Sequence, residues 1–434
     1  MGAITCKFGG TSLADADCFR DVQRIVESDP DRRYIVPSAP GKRTADDKKI
    51  TDLLYAWHGL VAQDLDPAQP RGIVANRFKE LTSELGMDFS VDRHLDQIAA
   101  EALRHTEPDY LASRGEFLSG QLLARLLGAE FVDPADFIKF DEEGNLDPET
   151  YTLLGERLTG KGRFVVPGFY GSMPDGRIRT FSRGGSDVTG AIVARATNSR
   201  LYENWTDVSG FLMADPRIVP HARRIAQVTY RELRELSYMG ANVLHDEAIF
   251  PVREPGIPIS IRNTKAPDHP GTMILAERQA KEAICGIAGR KGFTMINIEK
   301  ALMNKEIGFG RRVLSILEKH GVSFEHIPSG IDTMSVIIKD EEIANHGKGI
   351  LHDIELECRP DRVTLTPGLA LVATVGQGMA GTVGIAARLT TALANAGVNI
   401  RVIDQGSSEN NIIIGVEEDD LEKTVTAIYE AFAA

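Results

Sequence analysis

Apolar residues in this chain come in short runs that end in glycine or proline, and they alternate with helical patterns. "AITCKF" at 3–8 reads as a strand, and "DADCFRDVQRIVES" at 15–28 as an amphipathic helix. "RYIVPSAPG" at 33–41 is again a strand that runs into a turn. Further on, "GRFVVPGFYG" at 162–171 and "SRLYENWTDVSG" at 199–210 are apolar runs closed by glycine-rich turns. Between them, "VANRFKELTSELG", "VDRHLDQIAAEALRH" and "RGEFLSGQLLARLLG" predict helices across the middle of the chain, from about residue 65 to 130. Strands alternating with helices predict an α/β fold with a mainly parallel sheet covered on both faces. In such sheets ligands gather beyond the carboxyl ends of the strands, so the residues at those ends are the first candidates for function.

The texture changes at "TKAPDHPGTMILAERQAKEA", where two prolines sit in a polar setting. This predicts a first domain over 1–278. Two similar units follow, one starting at "TMINIEKALMNKEIGFG" and one at "LALVATVGQGMAGTVG". Each runs strand, glycine-bearing loop, helix, "HGV" or "AGV", strand, turn, strand and helix. That order is ferredoxin-like (βαββαβ). The second unit ends in its helix, with no residues for a fourth strand, which would leave a sheet edge unpaired. The spare apolar run "AICGIAG" at 283–289 is expected to fill that place. The expected division is therefore 292–366 as a first small domain, inserted into a second made of 283–290 plus 368–434.

Charge narrows the function. The net charge of −13 lacks the basic footprint expected of a nucleic-acid binder. No window approaches the roughly 20 apolar residues of a membrane span, and no signal-peptide pattern opens the chain. The four cysteines, Cys6, Cys18, Cys285 and Cys358, show neither metal-ligand spacing nor disulfide density. A cytoplasmic protein is the expectation, and local basic stretches such as "RIRTFSRGG" suit a small anion.

Several stretches carry candidate chemistry. In "KFGGTS", Gly9 and Gly10 let backbone N–H groups approach an anion, and Lys7 adds a point charge. The spacing matches neither a Walker A loop nor Gly-x-Gly-x-x-Gly, and taken alone the stretch reads more readily as a tight turn. In "SRGGSD", Arg183 can grip a carboxylate near a helix N-terminus, while Ser186 or Asp187 can equally be ordinary caps. In "NWTDVSGFLMADPR", Thr206 and Asp207 end a strand and Arg217 lies near a turn, which also fits a plain hairpin. Glu116 reads as an acid at a helix start, either stabilising the dipole or gripping an ammonium group. Ser38 and Thr51 flank a polar insertion that can also be only a surface loop.

Taken together and in order, "KFGGTS", "GEFLSGQLLA", "GFYG", "SRGGSD", "TDVSGFLMADPR", "MGANVLHDEAI" and "PGT" resemble the aspartate kinase family across essentially the whole chain. The resemblance implies the αβα sandwich of amino-acid kinases followed by two ACT domains. It also implies transfer of the γ-phosphoryl group of ATP to the side-chain carboxylate of L-aspartate, giving 4-phospho-L-aspartate, the first step of lysine, threonine and methionine biosynthesis. By resemblance, Lys7, Asp187 and Asp207 are catalytic. ATP maps onto Lys7, Gly9, Gly10, Thr206, Asp207, Leu212, Arg217 and Asn242. L-Aspartate maps onto Ser38, Thr51, Glu116, Phe169, Arg183, Ser186 and Asp187. Mg²⁺ is implied with ATP, without a dedicated metal cage of protein ligands.

The chain departs from the family at two positions. Leu212 stands where many members carry an aromatic. Asn242, in "GANVLHD", stands where many carry a lysine, and Arg217, Lys265 or Arg262 are candidates to replace its charge. The paired small domains resemble those that bind lysine or threonine as feedback inhibitors. The expected effector pocket takes in Met303, Ile307, Gly308, Phe309, Ser329 and Gly330, although these glycines also suit a simple βα turn. A homodimer or dimer of dimers through the small domains is implied. Two alternatives stand beside this reading: an amino-acid kinase of the same fold with another acceptor, and a non-catalytic amino-acid sensor.

Overall fold

The computed structural model describes residues 2–182, 184–240, 244 and 249–433. The chain forms two compact units. The first comprises Met1–Phe211, Ala226–Tyr230 and Asn242–Arg278, and the second Leu212–Ile225, Arg231–Ala241 and Gln279–Ala434.

Among the described residues, ten strands belong to the first unit: β1 (Ile4–Phe8), β2 (Arg32–Pro37), β3 (Glu130–Phe131), β4 (Phe164–Val165), β5 (Tyr170–Ser172), β6 (Ile178–Thr180), β7 (Leu201–Thr206), β8 (Gln227–Thr229), β9 (Ile259–Asn263) and β10 (Thr272–Leu275). The main sheet has eight strands in the order β3-β4-β2-β1-β7-β9-β10-β8, while β5 and β6 form a separate antiparallel pair. From β3 to β9 neighbours run parallel, and β10 turns antiparallel against β9. All five residues of β1 are buried, as a central strand covered on both faces requires. Cys6 and Phe8 point into one hydrophobic core with Phe19, Val22, Ile25 and Val26 of the helix Ala16–Glu27. That helix starts where Asp15 accepts a hydrogen bond from the backbone N–H of Cys18 at 2.8 Å. The opposite face of β1, which carries Lys7, is covered by the helix Gly185–Ala196.

Two starts differ from the sequence reading. The helix expected from residue 114 begins at Asp109, just after Pro108, and runs to Leu127. Glu116 therefore lies two turns inside it, too far from the end to serve the dipole. The helix after "SRGG" starts at Gly185 with Gly184 at its cap in the left-handed region (φ 60°). Ser186 and Asp187 thus sit within the first turn and are not the cap.

The second unit is built on β11 (Gly286–Glu299), β12 (Thr333–Lys339), β13 (Arg362–Val375), β14 (Val402–Asp404) and β15 (Asn411–Glu417), in the sheet order β12-β11-β13-β15-β14. Two long antiparallel strands serve both ferredoxin-like lobes. Residues Phe293–Glu299 of β11 pair with β12, whereas Gly286–Arg290 pair with Leu371–Val375 of β13, with a register shift between. Ile296, Phe309, Val313, Val336 and Ile350 form the core of the first lobe. Two earlier segments also join this unit. Ile287 N–H donates to Met213 O at 2.6 Å, Arg223 N–H donates to Tyr429 Oη at 2.9 Å, and Gln377 N–H donates to Glu232 at 2.8 Å. Among the described residues, no helix is long and apolar enough to cross a membrane.

Candidate active site

Lys7 is the penultimate residue of β1, directly beside Val36 of β2 and Asn204 of β7. Beyond it the chain turns at Gly9, whose N–H donates to Trp205 O at 3.0 Å. The loop after β2 crosses this turn. Ser38 N–H donates to Phe8 O at 3.0 Å, and Gly41 N–H donates to Gly10 O at 2.8 Å. A Cβ on Gly41 would stand 2.6 Å from the Gly10 carbonyl carbon, so the crossing admits only glycine there. On the far side Ser12 Oγ and Thr264 Oγ1 are 2.6 Å apart. Lys7, Gly9, Gly10 and Ser38 are thereby assembled at the carboxyl ends of three neighbouring strands.

Asp187 completes this corner. Its Oδ1 lies 2.5 Å from Lys7 Nζ, and both side chains are largely buried. The same oxygen accepts from Asn204 Nδ2 at 2.8 Å, and the Asp187 carbonyl accepts from Tyr202 Oη at 3.0 Å. Neither Tyr202 nor Asn204 was among the sequence candidates. The signal that finds them is the period-two pattern of "LYENWT", which turns Tyr202 and Asn204 to the Lys7 face and Glu203 and Trp205 to the other.

Glu116 forms a second feature. It is 5% exposed, and among the described residues its Oε2 has no hydrogen-bond partner. Burial pushes its carboxyl up to about 7, against backbone N–H donation from Ala39 and the positive charges of Arg114 and Lys7. The guanidinium of Arg114 is itself enclosed by the rings of Tyr110, Phe117 and Tyr170, at 4.6–5.0 Å. A buried carboxylate oxygen left without a donor is costly unless a ligand supplies one. Thr51 lies in the first turn of the helix Ile50–Val61, which packs against the helix bearing Glu116. Gly168 N–H donates to Pro37 O at 3.0 Å, bringing the next residue, Phe169, near the Ser38 loop. Phe169 has φ 84°, an uncommon backbone for a bulky residue, held by its N–H to Thr189 Oγ1 at 3.0 Å and by Phe181 N–H donating to its carbonyl.

The remaining candidates are more dispersed. Thr206 ends β7 and Asp207 follows it, with Thr206 Oγ1 and Asp207 Oδ1 3.2 Å apart. Leu212 and Arg217 belong to the second unit, and Arg217 is held by both oxygens of Asp215 with most of its side chain exposed. Lys265 is paired with Asp21 at 2.9 Å, and Arg262 lies 3.7 Å from Glu203, so each cation considered as a substitute for the lysine absent at Asn242 already faces a carboxylate. Arg183 and Asn242 lie outside the described residues. In the first small lobe, Met303 and Phe309 are buried in its core, while Ile307, Ser329 and Gly330 are exposed. Gly308 caps the helix Phe309–Lys319 with φ 81°. Asn304 N–H donates to Ile331 O at 3.1 Å, which joins the two halves of the expected effector pocket.

Comparison with known proteins decides the family. The sequence profile of the amino acid kinase family matches residues 3–263, and that of an ACT domain matches residues 372–432. Aspartokinase 3 of Bacillus subtilis is 40% identical over 448 residues, covering 99% of this chain and 98% of its own. The chain belongs to the aspartate kinase family. The crystal structure of the aspartate kinase of Clostridium acetobutylicum shares 50% identity with it and superposes with a TM-score of 0.92 over the whole of both chains. Aspartokinase III of Escherichia coli, solved with aspartate and ADP in its R-state, is 28% identical with a TM-score of 0.77 over the whole of both chains. The same enzyme has been solved with lysine and aspartate in its T-state. This aspartate kinase thus has the mainly parallel sheet of the amino-acid kinases and the ferredoxin-like lobes of ACT domains.

Proposed function

We propose that the corner formed by Lys7, Gly9, Gly10, Asp187 and Glu116 binds L-aspartate and the phosphates of ATP, and transfers the γ-phosphoryl group to the aspartate side chain. The observation that carries this reading is the unpaired oxygen of buried Glu116 within electrostatic reach of the Lys7–Asp187 pair. The free oxygen of Glu116 suits the substrate ammonium, and Ser38, Thr51, Phe169 and Ser186 orient the rest. Arg183 takes a carboxylate by resemblance. The aspartate side chain is already a nucleophile near neutral pH, so the site needs no general base, and placement dominates the barrier. Lys7 leans toward the phosphoryl oxygens and offsets their growing charge. Gly10 supplies a backbone N–H group, while Gly9, whose own N–H donates to Trp205 O, gives the close backbone approach. Thr206, Asp207, Leu212, Arg217 and Asn242 hold the nucleotide, and Mg²⁺ arrives with ATP, bound largely by its phosphates.

In the same reading residues 1–278 carry the chemistry. The lobe 292–366 is inserted into that formed by 283–290 and 368–434. Lysine, threonine or both bind at Met303–Phe309 with Ser329 and Gly330, and inhibit by favouring one arrangement of the chain over another. A cytoplasmic homodimer or dimer of dimers, serving the first step of lysine, threonine and methionine synthesis, completes it. The test is ATP-dependent hydroxamate formation with L-aspartate, L-glutamate and N-acetyl-L-glutamate in parallel, repeated with lysine and threonine. Turnover with aspartate alone is expected; folded protein that is inert with aspartate refutes the reading.

A further inference from the structure

Besides the Lys7 ammonium of β1, two groups from β7 hold Asp187 from outside its own helix. Tyr202 Oη donates to its carbonyl at 3.0 Å, and Asn204 Nδ2 donates to its Oδ1 at 2.8 Å. Tyr202 and Asn204 are two residues apart, so they share one face of the strand. Both are fully buried, at 0% and 2% exposure. Lys7 pairs with Asn204 in strand register, and its ammonium meets the same Oδ1. One oxygen thus receives an ammonium from β1 and an amide from β7.

The helix is shaped to allow this. Gly190 lies one turn after Asp187, and a Cβ there would stand 2.5 Å from Tyr202 Oη and 2.7 Å from its ring. Any side chain at 190 would have to push the tyrosine off the helix, and with it the bond to Asp187. A glycine inside a helix is disfavoured relative to alanine, and here it opens the path for the hydroxyl.

We propose that Tyr202, Asn204 and Gly190 form a bracket that positions Asp187, and through it the Lys7 ammonium, for phosphoryl transfer. The proposal rests on the reading of Lys7 and Asp187 given above. The chemical logic lies in the neutrality of the bracket. The Asn204 amide holds the carboxylate and the Tyr202 phenol holds the backbone carbonyl of the same residue, both without adding charge, so Asp187 keeps its full attraction for Lys7. Without the bracket, the carboxylate can rotate, and the ammonium moves with it. A displacement of about 1 Å at a reacting centre can cost on the order of 100-fold in rate. Tyr202, Asn204 and Gly190 are positioning residues, since they act through Asp187.

The test is steady-state kinetics of full-length Asn204→Leu, Asn204→Asp, Tyr202→Phe and Gly190→Ala, with Lys7→Ala and Asp187→Asn alongside. The Asn204→Asp change is the sharpest. Its new carboxyl faces Lys7, Asp187 and Tyr202; ionised, it cannot donate to Asp187, but protonated it can. At saturating aspartate, its kcat relative to wild type is expected to be lowered on the order of tenfold or more at pH 8 and to recover at pH 6. KM for aspartate should stay within about threefold. A merely structural asparagine would give no such recovery. Tyr202→Phe removes only a hydroxyl and should lower kcat several-fold with the fold intact, so it decides the matter if the Asn204 variants fail to fold. Wild-type kcat in folded Asn204→Asp or Tyr202→Phe, or a kcat ratio independent of pH, overturns the bracket. If Lys7→Ala and Asp187→Asn are also fully active, the underlying site reading fails as well. If only those two lose activity, the bracket alone is wrong.

Discussion

Lys7 Nζ lies 2.5 Å from Asp187 Oδ1, joining the first strand of the chain to the first turn of the helix that begins at Gly185. Side-chain exposures of 10% and 15% mean that both charges have lost most of their hydration. A pair of this kind adds little net stability but leaves an expensive charge behind when one member is removed. Its placement at the carboxyl end of the central strands is better explained by chemistry than by folding.

The first prediction concerns pH. Burial holds the Glu116 carboxyl at about 7 in the ligand-free protein, and an ammonium ligand needs it ionised. KM for aspartate should therefore rise as pH falls below about 7, by roughly tenfold per unit once the group is protonated. The Glu116→Gln variant should show a raised KM without this slope. A pH profile of KM that is flat from 8 to 6 in the wild type would contradict the assignment.

The same group makes a statement about stability. Its carboxyl is raised in the folded state, so the native protein binds a proton that the unfolded chain has released between about 4.5 and 7. Burial of Glu116 therefore costs nothing extra at low pH, and the cost grows as pH rises through that window and then levels off. Relative to wild type, Glu116→Gln should gain on the order of 2 kcal/mol between pH 5 and pH 8. Denaturation curves at the two pH values measure it; an unchanged difference would show that the carboxyl is not raised.

Arg77 provides a third prediction. This buried guanidinium on the helix Ala68–Glu84 donates to Gly41 O at 2.9 Å, Ala14 O at 3.2 Å and Asp47 at 2.5 Å. It staples the polar insertion and the end of the Gly9–Gly10 turn to one helix. Arg77→Met should destabilise the protein by on the order of 3 kcal/mol and raise KM for ATP more than KM for aspartate. Asp47→Asn should show the same pattern at smaller size. Equal effects on both substrates would contradict the link from Arg77 through Gly41 to the phosphate turn.

The reverse face of the same strands makes a fourth. Glu203 is 2% exposed and accepts from Arg32 at 2.8 and 3.1 Å, Trp205 Nε1 at 3.0 Å and the Cys6 thiol at 3.3 Å. Burial, followed by the Glu203 charge, pushes the Cys6 thiol well up. Glu203→Gln should cost on the order of 3 kcal/mol of stability, and Cys6 should resist alkylation in the native protein at pH 8. Rapid native labelling of Cys6 would contradict this arrangement.

Much of this was legible in the sequence, and the rest was hidden for identifiable reasons. β1 and the glycine turn are local patterns legible in the sequence; a helix start near Asp187 is legible too, but its cap is Gly184, not Ser186 or Asp187. The run 283–289 stands out in the sequence through a missing strand; in the structure Gly286–Arg290 pairs with Leu371–Val375 of β13, and the same strand continues to pair with β12. The start of Glu116's helix was missed because "DYLAS" after Pro108 has no strong cap signal, although Asp109 is anchored by Thr180 N–H at 2.7 Å. Asn204, Tyr202 and Arg77 reach their acceptors across strands or loops far apart in the chain, and no local pattern records such a contact. Nor does one reveal that Leu212 and Arg217 leave the first unit for the second.

The central claim is that Lys7 stabilises the transferring phosphoryl group. Steady-state hydroxamate kinetics of Lys7→Ala against wild type test it most directly. The account predicts a fall in kcat on the order of 100- to 1,000-fold, with KM for aspartate within about threefold. A folded Lys7→Ala enzyme with kcat near wild type would contradict it.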